Sequence, residues 1–204
     1  MSARVRLAES GDAADIVSIY GPYCDSTTVS FEVVAPTVDQ MRERISSITA
    51  NYPWLAAEID GKVVGYVYAS RHHERAAYRW SVDVAVYIAP GQQRNGLGRV
   101  LYEALFTILR AQGFFKAFAG ITLPNPASVG LHEALGFCPA GVLRGVGHKL
   151  GRWLDVGWWQ LDLQAERNAP ADPLPFRLFL SDPAIPAALA EGSNRLEAQL
   201  RAIR

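Results

Sequence analysis

The stretch WSVDVAVYIAPGQQRNGLGRVLYEAL, Trp80–Leu105, decides how the whole chain is read. Its first half alternates as a half-buried strand: Val82, Val84, Val86 and Ile88 take one face, and Ser81, Asp83, Ala85 and Tyr87 take the other. Its second half opens a helix with Leu101, Leu105, Ile108 and Leu109 inward, stopped by Gly113. Between them lies a glycine loop. A loop of this kind aims backbone N–H groups and the positive end of a helix at an anion.

Two familiar phosphate loops do not fit. Gly91 and Gly96 have P-loop spacing, but Leu97-Gly98 stands where a Lys and a Ser or Thr are needed. Gly96-x-Gly98 starts a dinucleotide fingerprint, yet Leu101 replaces its third glycine, and no acidic residue follows at the ribose-binding distance. What remains is Gln93-Arg94-Asn95-Gly96-Leu97-Gly98, a Q-x-x-G-x-G run in which Arg94 adds a full positive charge. An ordinary glycine turn with no ligand is the competing account of the same residues.

Working outward, Val5–Leu7 reads as a first strand, and Asp12 as the cap of a helix carrying Ile16, Ile19, Tyr20 and Tyr23. Gly21-Pro22 is expected to end or kink that helix. Thr37–Gln40 forms a capping box ahead of Met41, Ile45 and Ile48. WLAAEIDGKVVGYVYAS is a hairpin around Asp60-Gly61. Downstream, FFKAFAGITL is a strand, Ala127–Leu135 a helix, and Val142–Val146 and Val156–Leu163 two last strands. From Gln164 five prolines (170, 173, 175, 183 and 186) predict an irregular extension over 165–204, ending in a short helix with Leu196, Leu200 and Ile203 on one side.

The chain has 204 residues, enough for one domain with a full core; residues 1–164 are assigned to it. Twenty basic residues balance twenty acidic ones, which gives no electrostatic grip on nucleic acid or a membrane surface. The N-terminus lacks an apolar signal core, and two cysteines without metal-ligand spacing suggest neither zinc nor a disulfide framework. A cytoplasmic protein without a metal is expected.

In order and spacing, the strand, Q-x-x-G-x-G, helix, strand and PNPASVGLHEALGF resemble the GNAT superfamily of acetyl-CoA-dependent N-acetyltransferases. AYRWSVDVAVYIAP, QRNGLG, SVGLHEALGF and GRWLDVGWWQLDL resemble its phosphinothricin N-acetyltransferase branch. The resemblance covers residues 3–164 and implies an α/β fold: a mixed, mostly antiparallel twisted sheet, splayed at the acetyl-CoA site and flanked by helices. It implies that Gln93–Gly98 cradles the pyrophosphate of coenzyme A. Backbone groups of Val86 and Ile88 then pair with the pantetheine arm, and Asn125 and Ser128 make polar contacts beyond the next strand. Asn125 also reads as a turn or helix cap.

Acetyl transfer from a thioester to an amine needs a base for the ammonium proton. The branch places a glutamate in a W-x-x-E context, where this chain has Asp83, shorter by about 1.5 Å. A bridging water is one way to restore the reach. His132 is the second candidate base, with a packed core histidine as the alternative. The resemblance places His73 and Arg75 where a cationic pair grips an acidic amino acid, Tyr78 beside them, and Phe31 along the pocket; the family usually has Lys or Arg at the position of His73. Lys149, Arg152 and Trp153 lie in a late hairpin through which members pair, so a homodimer is expected. The implied reaction is direct acetylation of a small amino acid of the phosphinothricin or methionine sulfoximine type in a ternary complex. Acetylation of another amine or a protein N-terminus, or a CoA-binding regulatory module without catalysis, are the competing readings.

Overall fold

A computed structural model describes residues 2–202. In chain order its elements are β1 (Ala3–Leu7), α1 (Ala13–Asp25), α2 (Val38–Thr49), β2 (Trp54–Ile59), β3 (Lys62–Arg71), β4 (Ser81–Ile88), α3 (Leu97–Gln112), β5 (Lys116–Leu123), α4 (Pro126–Ala134), β6 (Cys138–Lys149), β7 (Arg152–Asp162), α5 (Phe176–Phe179) and α6 (Ala184–Ala202). The strands form one open seven-stranded sheet in the order β1-β2-β3-β4-β5-β7-β6. Only the β4–β5 pair is parallel. The fold is therefore the mixed, mostly antiparallel α/β sheet expected from the sequence.

The alternation of β4 assigns the layers. Val82 and Val84 join the core under α3, where Leu101, Leu105, Ile108 and Leu109 are fully buried. Tyr66 and Trp54 face the other way, into a second core beneath α1 and α2. The β2–β3 hairpin turns on Asp60 and Gly61, both at positive φ (48° and 81°), as a two-residue turn between twisted strands demands. Thr37 and Gln40 exchange the two hydrogen bonds of the capping box.

Three expectations are corrected. Asp12 stands at the start of α1 but makes no side-chain cap there: its carboxylate accepts from Arg6 at 2.7 and 2.8 Å and from the Glu9 N–H. Pro22 does not end α1, which runs on to Asp25. Beside it, Gly21 is buried, and a Cβ there would meet Ala35 at 3.6 Å, an ordinary van der Waals contact, so this part of α1 packs against the 26–36 segment.

The third correction concerns the tail. Residues 184–202 form a 19-residue helix, longer than the expected terminal turn and continuous with the main core. Pro183 precedes it and Pro186 lies in its first turn, where a proline removes no intrahelical bond. Ile185, Ala188 and Leu196 are buried with β1 and α3. Gly192 permits the close approach, because a Cβ there would lie 3.3 Å from Val5. Ser193 Oγ accepts from the Val5 N–H at 2.9 Å, satisfying a donor on the sheet edge. Leu200 packs against this core, and Ile203 lies outside the described residues. No helix among the described residues is long and apolar enough to cross a membrane.

Candidate active site

The site is a fork in the sheet. β4 pairs with β5 only where Ser81–Asp83 face Lys116–Phe118, while it stays paired with β3 through Ile88. Ala89 N donates to Val64 O at 2.8 Å, so alternate residues 83, 85 and 87 direct their backbone groups at β3. Val84, Val86 and Ile88 consequently turn theirs toward the side that β5 has left. A slot of about 60 Å³ opens there, between Val84–Tyr87 and Ala119–Thr122, with Asn125, Ser128 and His132 along it.

At the far end of β4 the glycine loop leads into α3. Gly91, Arg94 and Gly96 have φ of 82°, 63° and 74°. Glycine takes this conformation freely; for Arg94 it costs about 1 kcal/mol, so the loop is held in a defined shape. The first intrahelical bond runs from Val100 N to Gly96 O, and Gly96 supplies no side-chain cap. The N–H groups of Leu97, Gly98 and Arg99 therefore lack partners within the helix. Gly98 is pressed against Leu131 of α4, where a Cβ would lie 3.0 Å away. Arg94 is exposed and makes no ion pair among the described residues. Asn95 is half-buried beside them.

Gln93 has a different part. Its Nε2 donates to Tyr23 Oη at 2.7 Å, and Tyr23 Oη donates to Ile88 O at 2.8 Å. Gln93 thus ties the loop to α1, and the Ile88 carbonyl already has a donor. Open strand edge, unpartnered helix N-terminus and free arginine together fit an extended amide-bearing chain ending in a pyrophosphate.

Asp83 sits at the closed end of the fork. Its side chain is one-third exposed, and Oδ1 lies 2.7 Å from Nδ1 of His72. Burial pushes the Asp83 carboxyl above its ordinary range, and the His72 hydrogen bond partly offsets this. The imidazole stacks on Phe118 at 4.2 Å and 11°, with Tyr78 and Trp158 edge-on. Sequence reading gave His73 a substrate-gripping role and named no partner for Asp83; the strand period could have identified His72, since Tyr66, Tyr68, Ser70 and His72 are spaced by two, and Ser70 pairs directly with Asp83.

His132 has both ring nitrogens engaged. Nδ1 donates to Ser128 O at 2.8 Å, and Nε2 accepts from Tyr102 Oη at 3.0 Å. Burial lowers its pKa and favours the neutral imidazole, which joins α4 to α3. Asn125 accepts from Ser128 N at 3.1 Å and caps α4, while its side chain remains on the slot.

Val29 lines the slot at the fork, and Phe31 follows it in the 26–36 segment. The buried Lys149 ammonium holds that segment, donating to the carbonyls of Ser30 at 2.6 Å and Glu32 at 2.8 Å. The Phe31 ring lies on Gly147, where any Cβ would overlap it. Glu32 accepts two bonds from Arg44, which fixes the other end.

His73 and Arg75 are not beside Asp83. They line a cavity of about 310 Å³ with Arg71, Tyr52, Asp172 and Leu174, between the 71–81 loop and the tail. Tyr78 divides the two spaces: its ring meets His72 at 5.9 Å and His73 at 4.7 Å. Arg79 is committed to Asp172 at 2.8 Å. Arg71 and Arg75 are exposed and without ion pairs among the described residues. The described residues contain no cluster of His, Cys, Asp and Glu suited to a metal.

Residues 5–158 match the family model described as an acetyltransferase (GNAT) domain. The chain is 41% identical over 173 residues to the phosphinothricin N-acetyltransferase of Streptomyces viridochromogenes, covering 85% of this chain and 92% of that protein. It is 36% identical to the L-methionine sulfoximine/L-methionine sulfone acetyltransferase of Pseudomonas aeruginosa, covering 83% and 100%. Among solved structures, a GNAT superfamily phosphinothricin acetyltransferase from Sinorhizobium meliloti in complex with AcCoA superposes with a TM-score of 0.79 at 33% identity, over 87% of this chain and all of that one.

Proposed function

The chain belongs to the GNAT acetyltransferase family and is an acetyl-CoA-dependent N-acetyltransferase, and from that premise we propose that it acetylates the α-amino group of a small amino acid of the phosphinothricin or methionine sulfoximine type. The observation that carries the reading is the fork itself, with Asp83 at its closed end and the phosphate loop at its mouth. Acetyl-CoA supplies the acetyl group and a thiolate that leaves readily.

In this proposal the N-terminal turn of α3 and Arg94 bind the pyrophosphate, and the Val86 edge binds the pantetheine arm. Val29 and Phe31 cover the fork and exclude water from it. The substrate's acidic end lies toward Tyr78, Arg75 and His73, whose cavity carries two arginines free to pair with it. Asp83 sets the protonation of the amine. Amine and acetyl donor meet at the fork together, so transfer is direct, in a ternary complex. His132 is assigned to structure, because neither ring nitrogen is free to receive a proton.

The exposed Val142, Leu143, Val146, Leu150 and Trp153 of the β6–β7 hairpin support pairing of two copies. The two free cysteines, Cys24 and Cys138, are compatible with a reducing compartment such as the cytoplasm.

The test is CoA release with acetyl-CoA and a panel holding phosphinothricin, methionine sulfoximine, methionine sulfone, ordinary amino acids and an N-terminal peptide. Turnover on phosphinothricin, methionine sulfoximine or methionine sulfone above the peptide supports the reading. Acetyl-CoA binding without turnover on any amine, or preference for the peptide, refutes it.

A further inference from the structure

We infer that His72, oriented by Asp83, is the group that takes the proton from the substrate's ammonium. The inference deepens the proposed acetyl transfer and rests on it. Its ground is the 2.7 Å contact between His72 Nδ1 and Asp83 Oδ1. An ionised carboxylate only accepts, so the bond places the proton on Nδ1 and leaves the lone pair on Nε2. Nε2 has no hydrogen-bond partner among the described residues.

The ring is held as a catalytic base must be. Phe118 lies flat beneath it, while Tyr78 and Trp158 meet it edge-on. Phe118 is the β5 residue paired with Asp83, the last pair before β4 and β5 separate. His72 therefore stands over the closed end of the fork. The side chain of His72 is about one-fifth exposed, less than that of Asp83.

This arrangement answers the shortness of Asp83. The imidazole extends the carboxylate outward by the width of a ring and presents a stronger base at its far edge. Asp83 then fixes the tautomer and stabilises the imidazolium; it is the positioning residue and His72 the catalytic one. In the step, His72 Nε2 takes one proton from R–NH3+. The amine nitrogen bonds to the thioester carbonyl carbon as the C–S bond breaks. The second N–H proton leaves with the thiolate as free CoA thiol, and His72 returns its proton to water.

The titratable groups facing His72 are Asp83 from β4 and Tyr78 from the 71–81 loop; the β5 and β7 residues against it, Phe118 and Trp158, do not titrate. Behind Asp83 stand Tyr68 and the Arg44–Glu32 pair, and His73 lies across Tyr78.

The experiment compares wild type, His72→Asn, His72→Ala and Asp83→Asn. An asparagine amide can occupy the place of Nδ1 and still donate to Asp83, but it offers no base. We expect His72→Asn to lower kcat/KM for the amino acid by roughly 10²–10³-fold while KM for acetyl-CoA stays unchanged. The acid limb of the pH profile should disappear, and added imidazole should restore part of the rate in His72→Ala. The double variant His72→Asn/Asp83→Asn should be no worse than the more impaired single one. Wild-type kcat/KM and an unaltered pH profile in His72→Asn would overturn the assignment. A second measurement does not depend on turnover: ¹⁵N NMR of the His72 ring should report the Nδ1–H tautomer, and an Nε2–H tautomer would contradict it. If wild type turns over no amine in the panel, the substrate reading fails and the ring tautomer still decides the dyad.

Discussion

The side-chain amide of Gln199, near the end of α6, rests on Gly96 at the turn into α3: a Cβ on Gly96 would stand 2.5 Å from Gln199 Nε2. The last helix thus buttresses the glycine loop from outside residues 5–158. Two consequences follow from this contact.

A Gly96→Ala variant must hold φ near 74° with a side chain and push Gln199 away. The backbone term alone is about 1–2 kcal/mol. KM for acetyl-CoA should rise about tenfold, with a much smaller change in KM for the amino acid. Steady-state kinetics with each substrate varied in turn checks this; equal changes in both would dissociate Gly96 from the cofactor.

Removing α6 at Pro183 should do more than trim a tail. It exposes Val5 and Ala104 and leaves the Val5 N–H without its acceptor. Burial of Ile185 and Leu196 alone corresponds to roughly 3–6 kcal/mol of transfer free energy. The truncated chain should melt many degrees lower and bind CoA poorly, as thermal denaturation with and without CoA would reveal. An unchanged melting temperature would mean that α6 is dispensable.

How much of this was readable beforehand depended on range. The β4 alternation, the Asp60-Gly61 turn and the Thr37–Gln40 box are short-range patterns, and each reappears in the fold. Asp12 misled because its partner, Arg6, lies six residues back on a different element. The prolines at 183 and 186 looked like breakers because their position within a first turn becomes visible only once the helix has a partner. Gly192, Ser193 and Gln199 carry their meaning through Val5 and Gly96, far away in sequence. His72 is intermediate: period two running on from β3 places it beside Asp83, but the basic residues of 71–79 draw attention to His73.

The 26–36 segment offers a test of substrate positioning. Lys149→Met leaves the carbonyls of Ser30 and Glu32 unpaired and should destabilise the protein by about 1–3 kcal/mol. Gly147→Ala displaces the Phe31 ring. Both should raise KM for the amino acid severalfold and leave KM for acetyl-CoA nearly constant. A selective effect on acetyl-CoA instead would place Phe31 on the cofactor side.

Arg75→Ala tests the acidic end of the substrate. KM for phosphinothricin should rise roughly tenfold, and that for a neutral amino acid much less. Equal effects on the two would remove Arg75 from substrate binding.

Asp83 should display a conflict between stability and activity. Burial raises its carboxyl pKa, so the folded protein holds this proton more tightly than the unfolded chain. Stability therefore falls as pH rises from the ordinary carboxylate range through the raised value, and the loss persists above it. Asp83→Asn should melt at or above the wild-type temperature near neutrality while losing activity. Chemical or thermal unfolding at several pH values checks the sign; a marked drop in stability near neutrality would contradict it.

The most direct measurement is the initial rate of CoA release with phosphinothricin for wild type and Asp83→Ala across pH, alongside acetyl-CoA binding by each. The account predicts turnover by wild type, a loss of roughly 10²–10³-fold in kcat/KM for the variant, and equal acetyl-CoA affinity. Full activity of Asp83→Ala at every pH would contradict the assignment of the fork's closed end as the site of proton transfer.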